Sequence, residues 1–174
     1  MKLCLVRHGE TEENLAHMLQ GHLPGRLSDC GKRQAMDLKQ NLNLEDVDVI
    51  VSSDLKRVTD TVEIVLGGRE DIPWLKTPLF REINWGSMTG MKIADVDFKH
   101  LAKDVETREM LYERATRARD YLLKHFVGKR VLVVSHGLFL RSLIAVFGGT
   151  PLDKLHTIPH MKNCECRWLE VQVE

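Results

Sequence analysis

Near the amino terminus, Leu5-Val6-Arg7-His8-Gly9-Glu10-Thr11 sets a guanidinium, an imidazole and a glycine directly after the apolar run Leu3 to Val6. An apolar run that stops at a cation and a ring reads as a buried strand. It delivers both groups to a turn at its carboxyl end, where open α/β sheets bind ligands. The pattern recurs at Val131-Leu132-Val133-Val134-Ser135, which precedes His136-Gly137. Two strands that each end in His-Gly imply two histidines meeting at one place. Arg57, in Ser52-Ser53-Asp54-Leu55-Lys56-Arg57, lies just past another strand and in the first turn of a helix. A cation is locally disfavoured there, because the helix amino end is already positive. The same location favours an anion, so Arg57 fits a phosphate nearby. The competing reading is a solvated arginine paired with Asp60 or Asp54. Arg81-Glu82 follows a further short strand, and a lone glutamate is ordinarily a surface carboxylate. Two arginines and two histidines gathered at strand ends make a pocket for a dianion, since guanidinium forks match phosphate oxygens.

The elements that must position these groups alternate in type, which predicts an α/β three-layer sandwich with a mostly parallel central sheet and helices on both faces. Strands are expected at 2–6, 47–51 and 130–135, with a short one at Leu79-Phe80. A last strand is expected from Arg167 to Val173, or starting at Cys164. Helices are expected at 28–41, with Ser28 as cap, at 54–66, stopped by Gly67-Gly68, and at 138–147. A modest helix is expected at about 91–103 and a long one at about 106–126. The 174 residues suit one domain over 1–174, and no linker divides them.

The chain carries 25 basic and 25 acidic residues, so its formal net charge is zero. No global field draws nucleic acid or an anionic membrane, and neither is an expected partner. No segment approaches the roughly 20 apolar residues of a membrane span, and no signal peptide is visible. The expected location is cytoplasmic, where the four cysteines should be reduced. Cys4 reads as a small core residue. Cys164 and Cys166, with His156 and His160, match no familiar zinc spacing, and no metal is expected there. His17, His100 and His125 read as surface or structural, while His22 is a candidate for the pocket rim. An edge strand at the carboxyl end suits a homodimer, but Lys162 and Arg167 can equally guard it.

The opening segment, with Asn14 and Gln20-Gly21, resembles the first signature of the histidine phosphatase superfamily, which includes the cofactor-dependent phosphoglycerate mutases. Ser52 to Thr61 is similar to its second motif, and Arg81-Glu82 with Trp85-Gly86 and Gly90 to its third. Val133 to Gly137 is similar to its last, and Asn163-Cys164 to a small closing motif. The resemblance implies a phosphoglycerate mutase-like fold and a role for each residue. His8 would be the nucleophile, neutral when it attacks phosphorus. Arg7, Arg57 and His136 would hold the phosphoryl oxygens in the in-line transition state. Glu82 would protonate the leaving oxygen and later take a proton from water. Asn14, Gln20, Gly21 and Gly137 would line the phosphate site. No metal and no cofactor are implied, because the arginines supply the positive charge.

The chain departs from the family pattern in two loops. Gly86-Ser87-Met88-Thr89-Gly90 has Met88 and Thr89 where an aromatic and an acid are usual. Gly21 to Ser28 lacks an acidic residue and offers His22 and Arg26 instead. The cap segment, about 84–105, is short. A mutase must keep its phosphorylated intermediate from water, so the short cap favours hydrolysis of a small phosphomonoester. Phosphatases of cobalamin-precursor nucleotides such as α-ribazole phosphate, of sugar phosphates and of phosphoserine are the kinds resembled. The alternatives are a mutase-type phosphotransferase and a non-catalytic phosphate-binding regulator.

Overall fold

The computed structural model describes residues 1–172. Five strands form one sheet: β1 (Lys2–Arg7), β2 (Val49–Ser52), β3 (Trp74–Lys76), β4 (Arg130–Ser135) and β5 (Cys166–Glu170), in the order β3-β2-β4-β1-β5. The first four run parallel, and β5 is antiparallel to β1. The helices are α1 (Glu12–Leu15), α2 (Asp29–Asn41), α3 (Lys56–Leu66), α4 (Arg108–His125) and α5 (Gly137–Phe147). None in the described residues is long and apolar enough to cross a membrane.

Successive strand side chains point to opposite faces, and the central strands are apolar on both. Leu3, Leu5, Val49, Val51, Val131 and Val133 pack with Leu111, Ala115, Ala118 and Leu122 of α4 and with Phe139 and Leu143 of α5. Cys4, Val6, Ile50, Leu132 and Val134 pack with Leu38 of α2 and with Val58, Val62 and Val65 of α3. The sheet is thereby covered on both sides, which a parallel sheet requires. Ser28 caps α2 by accepting from Gly31 N–H, and Thr107 caps α4 by accepting from Met110 N–H. The pairing sets Arg7 opposite Ser135 and Ser52 opposite Val134. Three site-bearing loops therefore leave the sheet at one edge.

Four expectations are corrected. Leu79-Phe80 is not a strand but part of a 3-10 turn, Pro78–Phe80, capped by Thr77; the strand is Trp74–Lys76. Pro78 has no N–H for a ladder and suits the turn's first position. No helix fills 91–103, where only Ile93–Asp95 makes a 3-10 turn. The Asp97 carboxylate accepts from Lys99 N–H at 2.9 Å and bonds the His100 ring at 2.7 Å, offering the backbone an alternative to helix. Residues 90–93 instead join residues 17–19: Gly90 N–H donates to Leu19 O, Leu19 N–H to Met91 O, and Ile93 N–H to His17 O. The last strand is Cys166–Glu170, stopping short of Val173, which lies outside the described residues. Finally, Cys4 is joined to Cys166 in a disulfide, so not all four cysteines are thiols. The register places Cys4 opposite Trp168 and Val6 opposite Cys166, which makes the two cysteines diagonal neighbours on one sheet face, their Cα atoms 6.2 Å apart. Cys30 and Cys164 are free.

The loop after β1 lies backbone-to-backbone on the start of α2. A Cβ on Gly9 would stand 2.6 Å from Gly31 O, and one on Gly31 would enter the Glu10 carbonyl. Gly31→Ala is expected to destabilise the protein by about 1–3 kcal/mol, because no flexible side chain is there to yield. Chemical denaturation checks this; an unchanged midpoint would refute the close approach.

Candidate active site

His8 follows β1 directly and is 3% exposed. Its Nδ1 donates to Gly9 O at 2.7 Å, because a carbonyl only accepts. That assigns the proton to Nδ1 and leaves a lone pair on Nε2. Arg57 Nε donates to that lone pair at 3.3 Å. Burial, then the charges of Arg57 and Arg7, hold the His8 pKa well below 6.5, so the ring is neutral. A neutral ring with one directed lone pair is what a nitrogen nucleophile requires.

Arg57 is 1% exposed, so it is not the solvated helix arginine of the competing reading. Its two expected partners are taken by others: Lys56 pairs with Asp60, and Arg81 grips Asp54 at 2.7 and 2.6 Å. Arg57 instead gives Nη2 to Gly21 O at 2.8 Å and Nη1 to Leu23 O, which holds the loop after Gln20 against the site. Burial lowers its pKa to about 10, partly offset by the carboxylates of Glu82 and Glu13, and it stays charged at neutral pH.

His136, at the end of β4, meets His8 with ring centroids 5.3 Å apart at 64°. Its Nε2 bonds Ser53 Oγ at 2.8 Å. Burial and the Arg57 charge keep this ring neutral too. Its Nδ1 is buried without a partner, and so is Arg7 Nε. Arg7 gives Nη1 to Met161 O at 2.9 Å, and a Cβ on Gly137 would touch Arg7 Nε at 3.4 Å. Two unpartnered buried nitrogens beside a cationic pair suit the oxygens of a phosphoryl group.

Asn14 and Gln20 both bond Thr11, and Gln20 lies beside Arg57 near Gly25. Asn14 Oδ1 accepts from Thr11 N–H at 3.0 Å, and Gln20 Oε1 from the Thr11 hydroxyl at 2.9 Å. Both carbonyl oxygens are used inside the loop, which leaves the amide NH2 groups as donors. Glu82 completes the set at the amino end of α5. Its Oε1 accepts from Ile83 N–H (3.0 Å) and Phe139 N–H (3.1 Å), and its Oε2 from Leu138 N–H (3.2 Å). A carboxylate has about four lone-pair sites. Three are filled here, and one on Oε2 is open.

The structure gathers His8, Arg7, Arg57, Glu82, His136, Gly137, Gln20 and Gly21, while Asn14 joins them only through Thr11. It places two rim candidates differently. His22 donates through Nε2 to Glu82 O at 2.9 Å, so its ring is engaged by the backbone. Arg26 has an exposed side chain, and its N–H donates to Glu13. Cys166 is taken by the disulfide, and His160 Nε2 by Arg141 Nη1 at 2.9 Å, so no cluster forms with Cys164 and His156. Sequence reading assigned no role to Ser53, which bonds His136, or to Asn163, which donates to His8 O at 2.9 Å. It also missed Arg114 on α4. The overlooked signal was an arginine on the buried stripe of Leu111, Ala115 and Ala118.

The sequence profile described as "Histidine phosphatase superfamily (branch 1)" matches residues 3–174. "Phosphoglycerate mutase-like protein 4" of Arabidopsis thaliana is 33% identical over 158 residues, 82% of this chain and 69% of its own. "Phosphoserine phosphatase 1" of Hydrogenobacter thermophilus is 32% identical over 168 residues, covering 88% and 79%. The solved structure of Bacillus stearothermophilus YhfR superposes with a TM-score of 0.90 at 30% identity, over 98% of this chain and 91% of that one.

Both buried histidines have pKa values lowered from 6.5. Below that pH the unfolded chain binds protons that the native state refuses, so stability falls as pH drops through and below 6.5. The His8→Asn/His136→Asn double variant is expected to lose part of this acid slope in denaturation curves. In nitrogen NMR the His8 ring is expected not to titrate through pH 6.5, with its proton on Nδ1. A titration at or above 6.5 would contradict the burial argument.

Proposed function

The chain belongs to the histidine phosphatase superfamily (branch 1), a hydrolase of the phosphoglycerate mutase-like kind, and from that premise we propose that it hydrolyses a small phosphomonoester through a phosphohistidine on His8. The observation that carries this reading is the neutral His8 ring, with its Nε2 lone pair facing the Arg57 guanidinium at 3.3 Å. Phosphorus approaching Nε2 brings an oxygen to the Arg57 Nε–H. Arg7 Nε, His136 Nδ1 and the amides of Asn14 and Gln20 serve the other oxygens. These fixed donors stabilise the charge that spreads over the transferring group.

In the first step His8 Nε2 bonds to phosphorus as the bond to the leaving oxygen breaks, and Glu82 gives that oxygen its proton. In the second step water attacks the phosphohistidine and Glu82 takes a proton back. Inorganic phosphate leaves, and the ring regains its lone pair. The open lone-pair site on Glu82 Oε2 is where the proton is held. The Nδ1–H to Gly9 O bond stabilises the positive charge on the ring while phosphate is attached. The chain needs no metal on this account, because the two arginines neutralise the dianion.

Hydrolysis is favoured over return of the phosphoryl group by the cap, which is a short run of turns pinned to residues 17–19 rather than a long cover. The name of the Hydrogenobacter relative points the same way and puts phosphoserine among the substrates to try. His8 and Glu82 are both present, and both lie near Arg7 and Arg57, which favours an enzyme over a binding regulator.

On an alkyl phosphomonoester panel, His8→Ala is expected to abolish turnover and Glu82→Gln to lower kcat/KM about 10²–10⁴-fold. A chelator should leave the rate unchanged. Turnover surviving His8→Ala, or activity lost to chelator and restored by a metal ion, would overturn the reading.

A further inference from the structure

Glu82 sits in a stretch with no strand or helix of its own, between the turn at Pro78–Phe80 and Trp85. Its backbone is nonetheless gripped. Arg114, whose side chain is 12% exposed, reaches from α4 and gives Nη1 to Leu79 O (3.2 Å) and Arg81 O (2.6 Å). Its Nη2 goes to Glu82 O at 3.1 Å. Its Nε and Nη2 also hold both oxygens of Glu106 at 2.8 Å. Glu106 in turn accepts from Asn84 N–H at 2.9 Å. His22 gives Glu82 O its second hydrogen bond, at 2.9 Å.

We propose that Arg114 is a positioning residue for catalysis: by binding the carbonyls of Leu79, Arg81 and Glu82 in one fork, it fixes where the Glu82 carboxyl meets the leaving oxygen. Three features argue for this. An irregular loop has no ladder bonds of its own, so its carbonyls need outside donors. Only a guanidinium carries enough donors in a fixed plane to serve three carbonyls and a carboxylate at once. The guanidinium also lies over the Phe139 ring, 5.1 Å from its centroid, and Phe139 N–H is one of the donors to Glu82 Oε1. Arg114 thus bears on both ends of Glu82, its carbonyl directly and its carboxylate through α5. Glu106, half-buried beside it, keeps the guanidinium aimed. Lysine in its place would keep a charge for Glu106 but lose the fork.

The proposal rests on Glu82 being the proton donor, and its test separates the two. kcat/KM is measured for an alkyl phosphate, whose leaving oxygen needs a proton, and for 2,4-dinitrophenyl phosphate, whose leaving oxygen does not. Arg114→Lys is expected to lower the alkyl value about 10-fold to 100-fold, as a small misplacement of a catalytic group does, and the dinitrophenyl value by less than about 3-fold. Glu82→Gln should show the same contrast, only larger. Equal loss on both substrates in Arg114→Lys, with the contrast present in Glu82→Gln, would overturn the positioning role. Absence of the contrast in Glu82→Gln would overturn the donor reading itself, and the proposal with it. If Arg114→Lys fails to fold, Arg114→Met/Glu106→Gln, which leaves no lone buried charge, is read in the same way.

Discussion

A histidine sealed beneath two arginines has no water to carry its charge, so it stays neutral. Burial alone would let the remaining proton of the His8 ring sit on either nitrogen. The Nδ1–H bond to Gly9 O prevents that. Much of the remaining architecture keeps this one ring dry, directed and faced by cations. Asn163 holds the His8 carbonyl and Cys164 N–H the Arg7 carbonyl, so the segment leading into β5 closes over the end of β1. Thr61 Oγ1 takes Gly9 N–H from α3.

Arg57 shows how little of the site is local. It comes from the second βα turn, yet its fork binds the loop after Gln20, and its Nε lies against His8. The cation that would grip phosphate therefore also fixes the wall opposite. Glu82 arrives differently, on an irregular stretch held by two helices. The start of α5 binds its carboxylate, while α4 binds its carbonyl through Arg114. Parallel strands bring His8, Arg7, Arg57 and His136 to one edge, and helix-borne donors hold Glu82 beside them.

The parts legible in the sequence were those governed by local rules. Apolar runs ending in Arg-His and Ser-His announced β1 and β4, the helical stripes of α2 to α5 were plain, and Ser28 and Gly67 marked helix ends. Residues 67–105 were illegible because tertiary pairing and side-chain turns compete with helix there: Gly90 to Ile93 follows residues 17–19, and Asp97 bonds its own neighbours. The Cys4–Cys166 link spans 162 residues and depends on the register of β5 against β1, which no spacing shows. Arg114 was hidden in plain view, one arginine in a helix rich in charge. His22 was chosen for its ring and turned out to serve a carbonyl.

The proposed reaction passes through a covalent bond to one nitrogen. Rapid quench at neutral pH during turnover of a phosphomonoester, followed by alkaline digestion and mass spectrometry, reads it directly. The account predicts phosphate on His8, attached at Nε2. Phosphate on another residue, attachment at Nδ1, or turnover with no phosphoenzyme trapped at any quench time would contradict it.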